Sequence, residues 1–94
     1  MDTSKSEILG ILQEECSEVV VAVSKIRRFG IDSIDPRVGG QTNLEHLQEE
    51  LGDLKAMIHL VESAFCLDDT ITNEFAAKKL EKLKRWSRID PELM

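Results

Sequence analysis

Two long stretches of helical periodicity, separated by a segment rich in helix breakers, most constrain what this chain can fold into. In the first stretch, apolar residues recur at helical spacing: Ile8, Leu12, Val19, Val23 and Ile26. Ser4-Lys5-Ser6-Glu7 matches a capping box, in which two side chains satisfy the free amides of a helix start. We therefore predict a first helix of about 24 residues that begins at this box and ends at Phe29, before Gly30.

The second stretch follows a predicted loop at residues 30–42, where Asp35-Pro36 and Gly39-Gly40 interrupt the periodicity. Thr42 and Glu45 match a second capping box. Apolar residues then return at helical spacing: Leu44, Leu47, Leu51, Leu54, Ile58, Val61 and Phe65. This pattern predicts a second helix over about residues 43–66.

A short turn precedes a third helix, which is predicted over about residues 71–88 and ends before Pro91. Since no strand pattern or internal repeat accompanies these helices, the sequence predicts an all-α single domain over residues 1–94, with a core over about 5–88. Three amphipathic helices of this size bury a limited fraction of their surface when alone. We therefore expect the first two helices to form an antiparallel hairpin that associates with further copies as a four-helix-bundle-like homo-oligomer, a dimer or a tetramer.

The charge balance and the cysteines restrict the function classes. The chain has 18 acidic and 12 basic residues and a net charge of -6, whereas a protein that binds DNA or RNA backbones needs a net basic face. No apolar run approaches the roughly 20 residues that span a bilayer, and the first five residues do not resemble a signal peptide. Cys16 and Cys66 are too few for a disulfide scaffold or a zinc site, and we expect both to be reduced core residues. The sequence thus predicts a cytoplasmic protein that binds neither nucleic acid nor membranes.

Acidic residues occupy positions in both long helices where apolar residues are expected. Glu15 and Glu18 lie one turn apart in the first helix, and Glu50 and Asp53 repeat this spacing in the second. In an antiparallel hairpin the two pairs can meet, and like charges so close either raise each other's pKa or share a cation. Four carboxylates without His or Cys suit a hard cation, Mg²⁺ or Mn²⁺. For either pair taken alone, a solvated acidic face is the alternative.

Glu14-Glu15-x-x-Glu18 followed by Glu50-x-x-Asp53 resembles the EExxE…ExxD signature of the MazG-like, all-α nucleoside triphosphate pyrophosphohydrolases. The segments Lys25-Ile26-Arg27-Arg28-Phe29-Gly30 and Glu50-Leu51-Gly52-Asp53-Leu54 look like those of the small, often phage-encoded members. The resemblance covers about residues 7–88, although 31 residues separate Glu18 from Glu50, more than in many relatives. It implies a helical bundle built across subunits and a Mg²⁺-dependent cleavage of a nucleoside or deoxynucleoside triphosphate between the α- and β-phosphates, giving a monophosphate and pyrophosphate.

The resemblance also implies roles for individual acidic residues. Four of them match the metal ligands of the family: Glu15, Glu18, Glu50 and Asp53. Glu14 and Glu49 match flanking acids that hold a second metal, orient water or accept its proton, and which of the two is the general base stays open. A Lys/Arg set on the last helix would hold the outer phosphates, for which we select Lys78, Lys82 and Arg85.

Several other residues are candidates for contacts with a nucleotide. Lys25 shares a stripe with Glu18. We expect Asn43 first of all to cap the second helix, and we also select it as a candidate contact to sugar or base. We expect His46, one turn before Glu50, to be a partly exposed helix residue, with a ligand contact as the alternative. Phe29 and Trp86 are expected in the core, with stacking against a base as the alternative.

Two competing classes of protein share parts of this pattern. A non-enzymatic, acidic helical module for dimerisation or interaction would explain the amphipathic stripes but leaves the two acidic pairs as coincidence. A di-iron carboxylate bundle requires Glu-x-x-His motifs. Since Asn43 precedes His46 by three residues and Ala56 precedes His59, the sequence excludes this class.

Overall fold

A computed structural model describes the chain from Met1 to Met94, apart from the side chain of Val38. Within the described residues the fold is all-α, as predicted, and consists of three α-helices without a strand: α1 (Thr3–Phe29), α2 (Asn43–Ala64) and α3 (Asp69–Trp86). Single 3₁₀ turns lie at Pro36–Val38 and Pro91–Leu93. None of the helices in the described part of the chain combines the length and the hydropathy needed to cross a membrane.

The helix ends follow from their capping residues, with one correction at α1. The box predicted at Ser4 and Glu7 is wrong, because the Asp2 carboxylate accepts a hydrogen bond from the Lys5 amide at 2.7 Å and starts the helix earlier. The predicted end is confirmed at Phe29, where Gly30 turns the chain with a φ of 91°. Such a positive φ is strained for any residue that has a Cβ atom, so glycine is favoured here.

The second capping box is confirmed. Thr42 Oγ1 accepts from the Glu45 amide at 3.1 Å, and the Glu45 carboxylate accepts from the Thr42 amide at 3.0 Å. Both α2 and α3 end two residues earlier than predicted. Helix α3 also starts two residues earlier than predicted, at Asp69, because Asp68 caps it by accepting a hydrogen bond from the Thr70 amide at 2.9 Å.

Helices α1 and α2 form an antiparallel hairpin, as the sequence predicts. At one end, the start of α2 is tied to the end of α1 through Asn43; at the other, Lys5 Nζ lies 5.7 Å from the ring centre of Phe65. Among the described residues this is the one extensive helix–helix interface. Ala22 and Met57 are its buried apolar side chains, with 0% and 8% of their surface exposed.

Asn43 fastens the loop between the two helices. Its side chain is only 2% exposed, and Nδ2 donates to the carbonyl of Gly30 at 3.0 Å and to that of Lys25 at 3.4 Å. Its backbone amide donates to the Ser33 carbonyl at 2.8 Å. Because Gly30 lies just beyond α1, its carbonyl has no amide of the helix to bond, and Asn43 therefore joins the two helices as well as beginning the second.

We expect Asn43→Ala to lower the free energy of unfolding by about 1–3 kcal/mol, because it removes an almost wholly buried side chain together with its hydrogen bonds to the end of α1. Chemical denaturation followed by circular dichroism measures this value. Asn73→Ala is the matched control, since Asn73 lies exposed on α3 and its replacement should change stability by less than about 0.5 kcal/mol. Equal effects of the two substitutions would show that Asn43 does not hold the loop.

Helix α3 extends away from the hairpin and none of its residues is buried. Several predicted core positions are consequently exposed: Phe29 and Trp86 have 61% and 84% of their surface accessible, and Cys16 and Cys66 are exposed as well. The prediction that these four residues lie in the core is therefore wrong for the single chain. The chain is flat, with extents of 40 × 37 × 15 Å, which leaves its apolar residues few partners.

Candidate metal centre

Three of the four predicted metal ligands converge at the middle of the hairpin. Glu15 from α1 and Glu50 and Asp53 from α2 each place one carboxylate oxygen within 4.8 Å of the other two. The antiparallel packing produces this arrangement, because it brings the acidic stripe of each helix against the other. The sequence prediction that the two pairs meet therefore holds for these three residues.

The fourth predicted ligand, Glu18, lies outside this group and is exposed. A residue three positions along a helix is displaced by about 4.5 Å along the axis and about 60° around it. Asp53 reaches the cluster beside Glu50 with this same offset. The rotation of α1 against α2 is therefore what brings Glu15 to the cluster and leaves Glu18 outside it. The Glu18 carboxylate is nevertheless close enough to contribute to the raised pKa of Glu15.

The environment of the cluster is electrostatically unfavourable without a cation. Partial burial, followed by the neighbouring charges of Asp53 and Glu50, raises the pKa of Glu15 above its ordinary value. Glu50 is more deeply placed, with 8% of its surface exposed. Bringing three carboxylates together in such a place destabilises the fold unless their charge is compensated.

The donor set of the cluster suits a hard divalent cation. All three side chains offer oxygen, the atom that Mg²⁺ and Mn²⁺ prefer. Two oxygens bound to one Mg²⁺ ion, each at about 2.1 Å, lie at most about 4.2 Å apart. Since the present separations reach no more than 4.8 Å, small side-chain rotations are enough to bring the three carboxylates onto one ion.

The raised pKa of Glu15 predicts an unusual pH dependence of stability in metal-free protein. Because the folded state binds this proton more tightly than the unfolded state, stability is lost as the pH rises above the ordinary value of 4.5 and through the raised pKa. We therefore expect the metal-free melting temperature to fall as the pH rises above about 4.5, and saturating Mg²⁺ to reverse this fall.

Thermal unfolding in a series of buffers, with a chelator or with Mg²⁺, measures this dependence. Glu15→Gln should flatten the metal-free slope. Asp35 and Glu45, whose pKa values are lowered, act in the opposite sense but mainly below about pH 5. A slope that is the same in Glu15→Gln and in the unmodified protein would contradict the assignment.

The two predicted flanking acids lie beside the cluster without being part of it. Glu14 is exposed on α1, and Glu49 is exposed on α2. Glu49 Oε2 accepts a hydrogen bond from Gln41 Nε2 at 2.8 Å, which links the loop to α2. This bond fixes one oxygen of Glu49 and leaves Oε1 available to accept a proton.

Lys25 and Asn43, both predicted to contact substrate, are engaged in holding the loop. Lys25 Nζ lies 3.1 Å from Asp35 Oδ2, and Arg37 binds the same carboxylate with two side-chain bonds of 2.9 and 3.0 Å. The hydrogen bonds from Arg37, and then the contact with Lys25, hold the pKa of Asp35 well below its ordinary value. Asn43 is almost wholly buried, as described above.

The predicted phosphate-binding residues lie on α3, apart from the carboxylates of their own chain. Lys78, Lys82 and Arg85 are exposed and share one side of the helix with Trp86. Because α3 does not pack along α1 or α2, the single chain does not bring these cations to the cluster.

The structure adds one residue whose place the sequence prediction missed. His46 is not partly exposed but buried, with 7% of its surface accessible, and its Nε2 lies 3.1 Å from Glu50 Oε1. The available signal was the spacing of four residues between His46 and Glu50, which places both side chains on one face of α2.

Comparison of the chain with protein-family models, with curated proteins and with solved structures gave no match. The likeness to the MazG-like hydrolases therefore depends on the residue patterns at positions 14–18, 25–30 and 50–54. The geometry that brings three of these carboxylates together is independent of that likeness.

Proposed function

We propose that this chain is a cytoplasmic, Mg²⁺-dependent nucleotide pyrophosphohydrolase of the MazG-like type, with Mn²⁺ as an alternative cation. It cleaves a nucleoside or deoxynucleoside triphosphate between the α- and β-phosphates and releases a monophosphate and pyrophosphate. The observation that carries the proposal is the convergence of Glu15, Glu50 and Asp53, whose carboxylate oxygens lie within 4.8 Å of one another across two helices.

The acidic residues divide into ligands and candidates for proton transfer. Glu15, Glu50 and Asp53 hold the cation, and Glu18, one turn beyond Glu15, is the fourth ligand that the family resemblance implies. Bound Mg²⁺ supplies charge for the phosphate oxygens and a more acidic water. Glu14 and Glu49 stand next to the ligands in sequence, and one of them accepts the proton of the attacking water.

A second copy of the chain completes this proposal. Large apolar side chains are exposed on all three helices, for example 64% of Val20 on α1, 44% of Leu51 on α2 and 64% of Phe75 on α3. Association as a helical bundle would remove them from water. It would also give the basic residues of α3 access to a carboxylate cluster on a partner, where their charge complements that of the triphosphate.

The informative experiment is incubation of the protein with a panel of ribo- and deoxynucleoside triphosphates and Mg²⁺, followed by separation of the products. Monophosphate together with pyrophosphate is expected, and a chelator should abolish both. Diphosphate with inorganic phosphate would mean that the cleavage position is wrong. No turnover of any nucleotide, with an oligomer present, would favour the acidic interaction module, which the exposed apolar side chains of α3 also fit.

A further inference from the structure

His46 and Glu50 form a buried pair at the edge of the carboxylate cluster. The side chains are 9% and 11% exposed, and His46 Nε2 lies 3.1 Å from Glu50 Oε1. Among the described residues, the Glu50 side chain makes no hydrogen bond other than this one. Glu50 is also the most buried of the three clustered acids. The orientation of this carboxylate therefore depends on one contact.

The direction of this hydrogen bond follows from its partners. A carboxylate only accepts, so the imidazole donates from Nε2. His46 Nδ1 is buried and has no hydrogen-bond partner in the described part of the chain. The neutral tautomer with its hydrogen on Nε2 satisfies both conditions, because it donates to Glu50 without burying a second N–H group that lacks an acceptor.

The hydrogen bond from His46 holds the Glu50 carboxylate in place against the repulsion of the neighbouring carboxylates. Glu15 and Asp53 both place carboxylate oxygens within 4.8 Å of that of Glu50, and their charges favour rotation of the Glu50 side chain away from the cluster. The donor on His46 opposes this rotation by holding Oε1 on the side of α2 that leads toward Asn43. Oε2 then remains free for a cation.

We propose that His46 is a positioning residue, which holds Glu50 ready to bind the divalent cation and does not itself touch the metal or the nucleotide. The inference rests on the proposed function, since it assumes that Glu50 is a metal ligand. Outer-shell donors of this kind orient ligands and raise metal affinity, and their loss lowers that affinity by about 10- to 100-fold. A purely structural role for the pair would affect folding but leave the affinity of folded protein unchanged.

Titration of the nucleotide-free protein with Mn²⁺, followed by electron paramagnetic resonance of the free ion, tests the inference without any measurement of activity. We expect His46→Leu to weaken Mn²⁺ binding by about 10- to 100-fold. His46→Gln should recover most of the loss, because the Gln Nε2 group reaches about as far as the histidine Nε2. His46→Asn, whose amide is too short to reach Glu50, should behave like His46→Leu and replaces it if that variant does not fold.

His59→Leu is the matched control, because His59 lies exposed on the same helix. The Mn²⁺ affinity of this variant should equal that of the unmodified protein. Circular dichroism establishes that each variant is folded. The inference fails if the unmodified protein and a folded His46→Leu or His46→Asn variant bind Mn²⁺ with dissociation constants that differ by less than twofold. In that case His46 does not position Glu50, while the metal site stands. If the unmodified protein binds no Mn²⁺, the metal site itself fails and the role of His46 with it.

Discussion

Replacement of Glu50 by Gln, or of Asp53 by Asn, should reduce Mg²⁺-dependent hydrolysis of nucleoside triphosphates by more than about 100-fold. Each substitution keeps the shape of the side chain and removes one of the charges that converge at the centre of the hairpin. Even the loss of an outer-shell partner of a metal ligand lowers metal affinity by about 10- to 100-fold, so the loss of a ligand charge should exceed this effect. Initial rates at several Mg²⁺ concentrations measure the change.

The same two substitutions should leave the metal-free melting temperature unchanged or higher. They relieve the repulsion that adds to the effect of burial in raising the pKa of Glu15, and Gln at position 50 still offers an oxygen to His46. This combination of lost activity with retained stability separates a ligand from a residue that is needed for folding. It is the pattern expected where a site is held together against its own electrostatics.

Glu7→Gln is the control for loss of charge, because Glu7 is an exposed acid on α1 that lies outside the cluster. Its activity should equal that of the unmodified protein. Full activity in both Glu50→Gln and Asp53→Asn would overturn the assignment of these residues as metal ligands. Loss of activity in Glu7→Gln as well would point to net charge, rather than ligand geometry, as the cause.

Phe75→Glu should dissociate the proposed oligomer into monomers with a lower melting temperature. Phe75 is 64% exposed on α3, the helix without a buried residue, and a charge there prevents burial of this face against a second copy. In the unmodified protein, we expect the melting temperature to rise with protein concentration, because association stabilises the folded chain by mass action. Analytical ultracentrifugation gives the mass, and calorimetry gives the concentration dependence.

The matched control is Asn73→Glu, which adds the same charge to an exposed polar position two residues away on α3. Since successive residues turn by about 100°, Asn73 lies about 200° from Phe75 around the helix axis and should leave the mass unchanged. A monomer in the unmodified protein, with a melting temperature independent of concentration, would contradict the oligomer. Equal dissociation by the two substitutions would show that α3 does not bind a partner through Phe75.

The local features of this fold could be predicted from sequence because they depend on neighbours within a few positions. The capping box of Thr42 and Glu45 forms as predicted, and the end of α1 at Gly30 does too. The start of α1 was misplaced although it is also local. Asp2 and Ser4 are both residue types that cap helices well. Capping by Asp2 starts the helix at Thr3, and the apolar periodicity, which begins only at Ile8, does not indicate which of the two caps is used.

Burial could not be predicted in the same way. Phe29 and Trp86 are large apolar residues at the helical spacing expected of a core, yet both are exposed in the single chain, because α3 does not cover the hairpin. His46 shows the opposite error, since a histidine on an acidic helix is expected near solvent. It is buried because the start of α2 belongs to the one helix pair of the described chain that packs extensively.

The sequence by itself determined an all-α chain, its loop and the placement of acidic residues on the inner stripes of two helices, because periodicity and capping act over one or two turns. Only the tertiary structure decided which carboxylates converge. The packing of α1 on α2 sets Glu15 against Glu50 and Asp53 and leaves Glu18 aside. It also placed His46 against Glu50 and left α3 without a partner. These outcomes depend on how far apart and at what rotation two helices pack, and residues distant in the sequence decide that geometry.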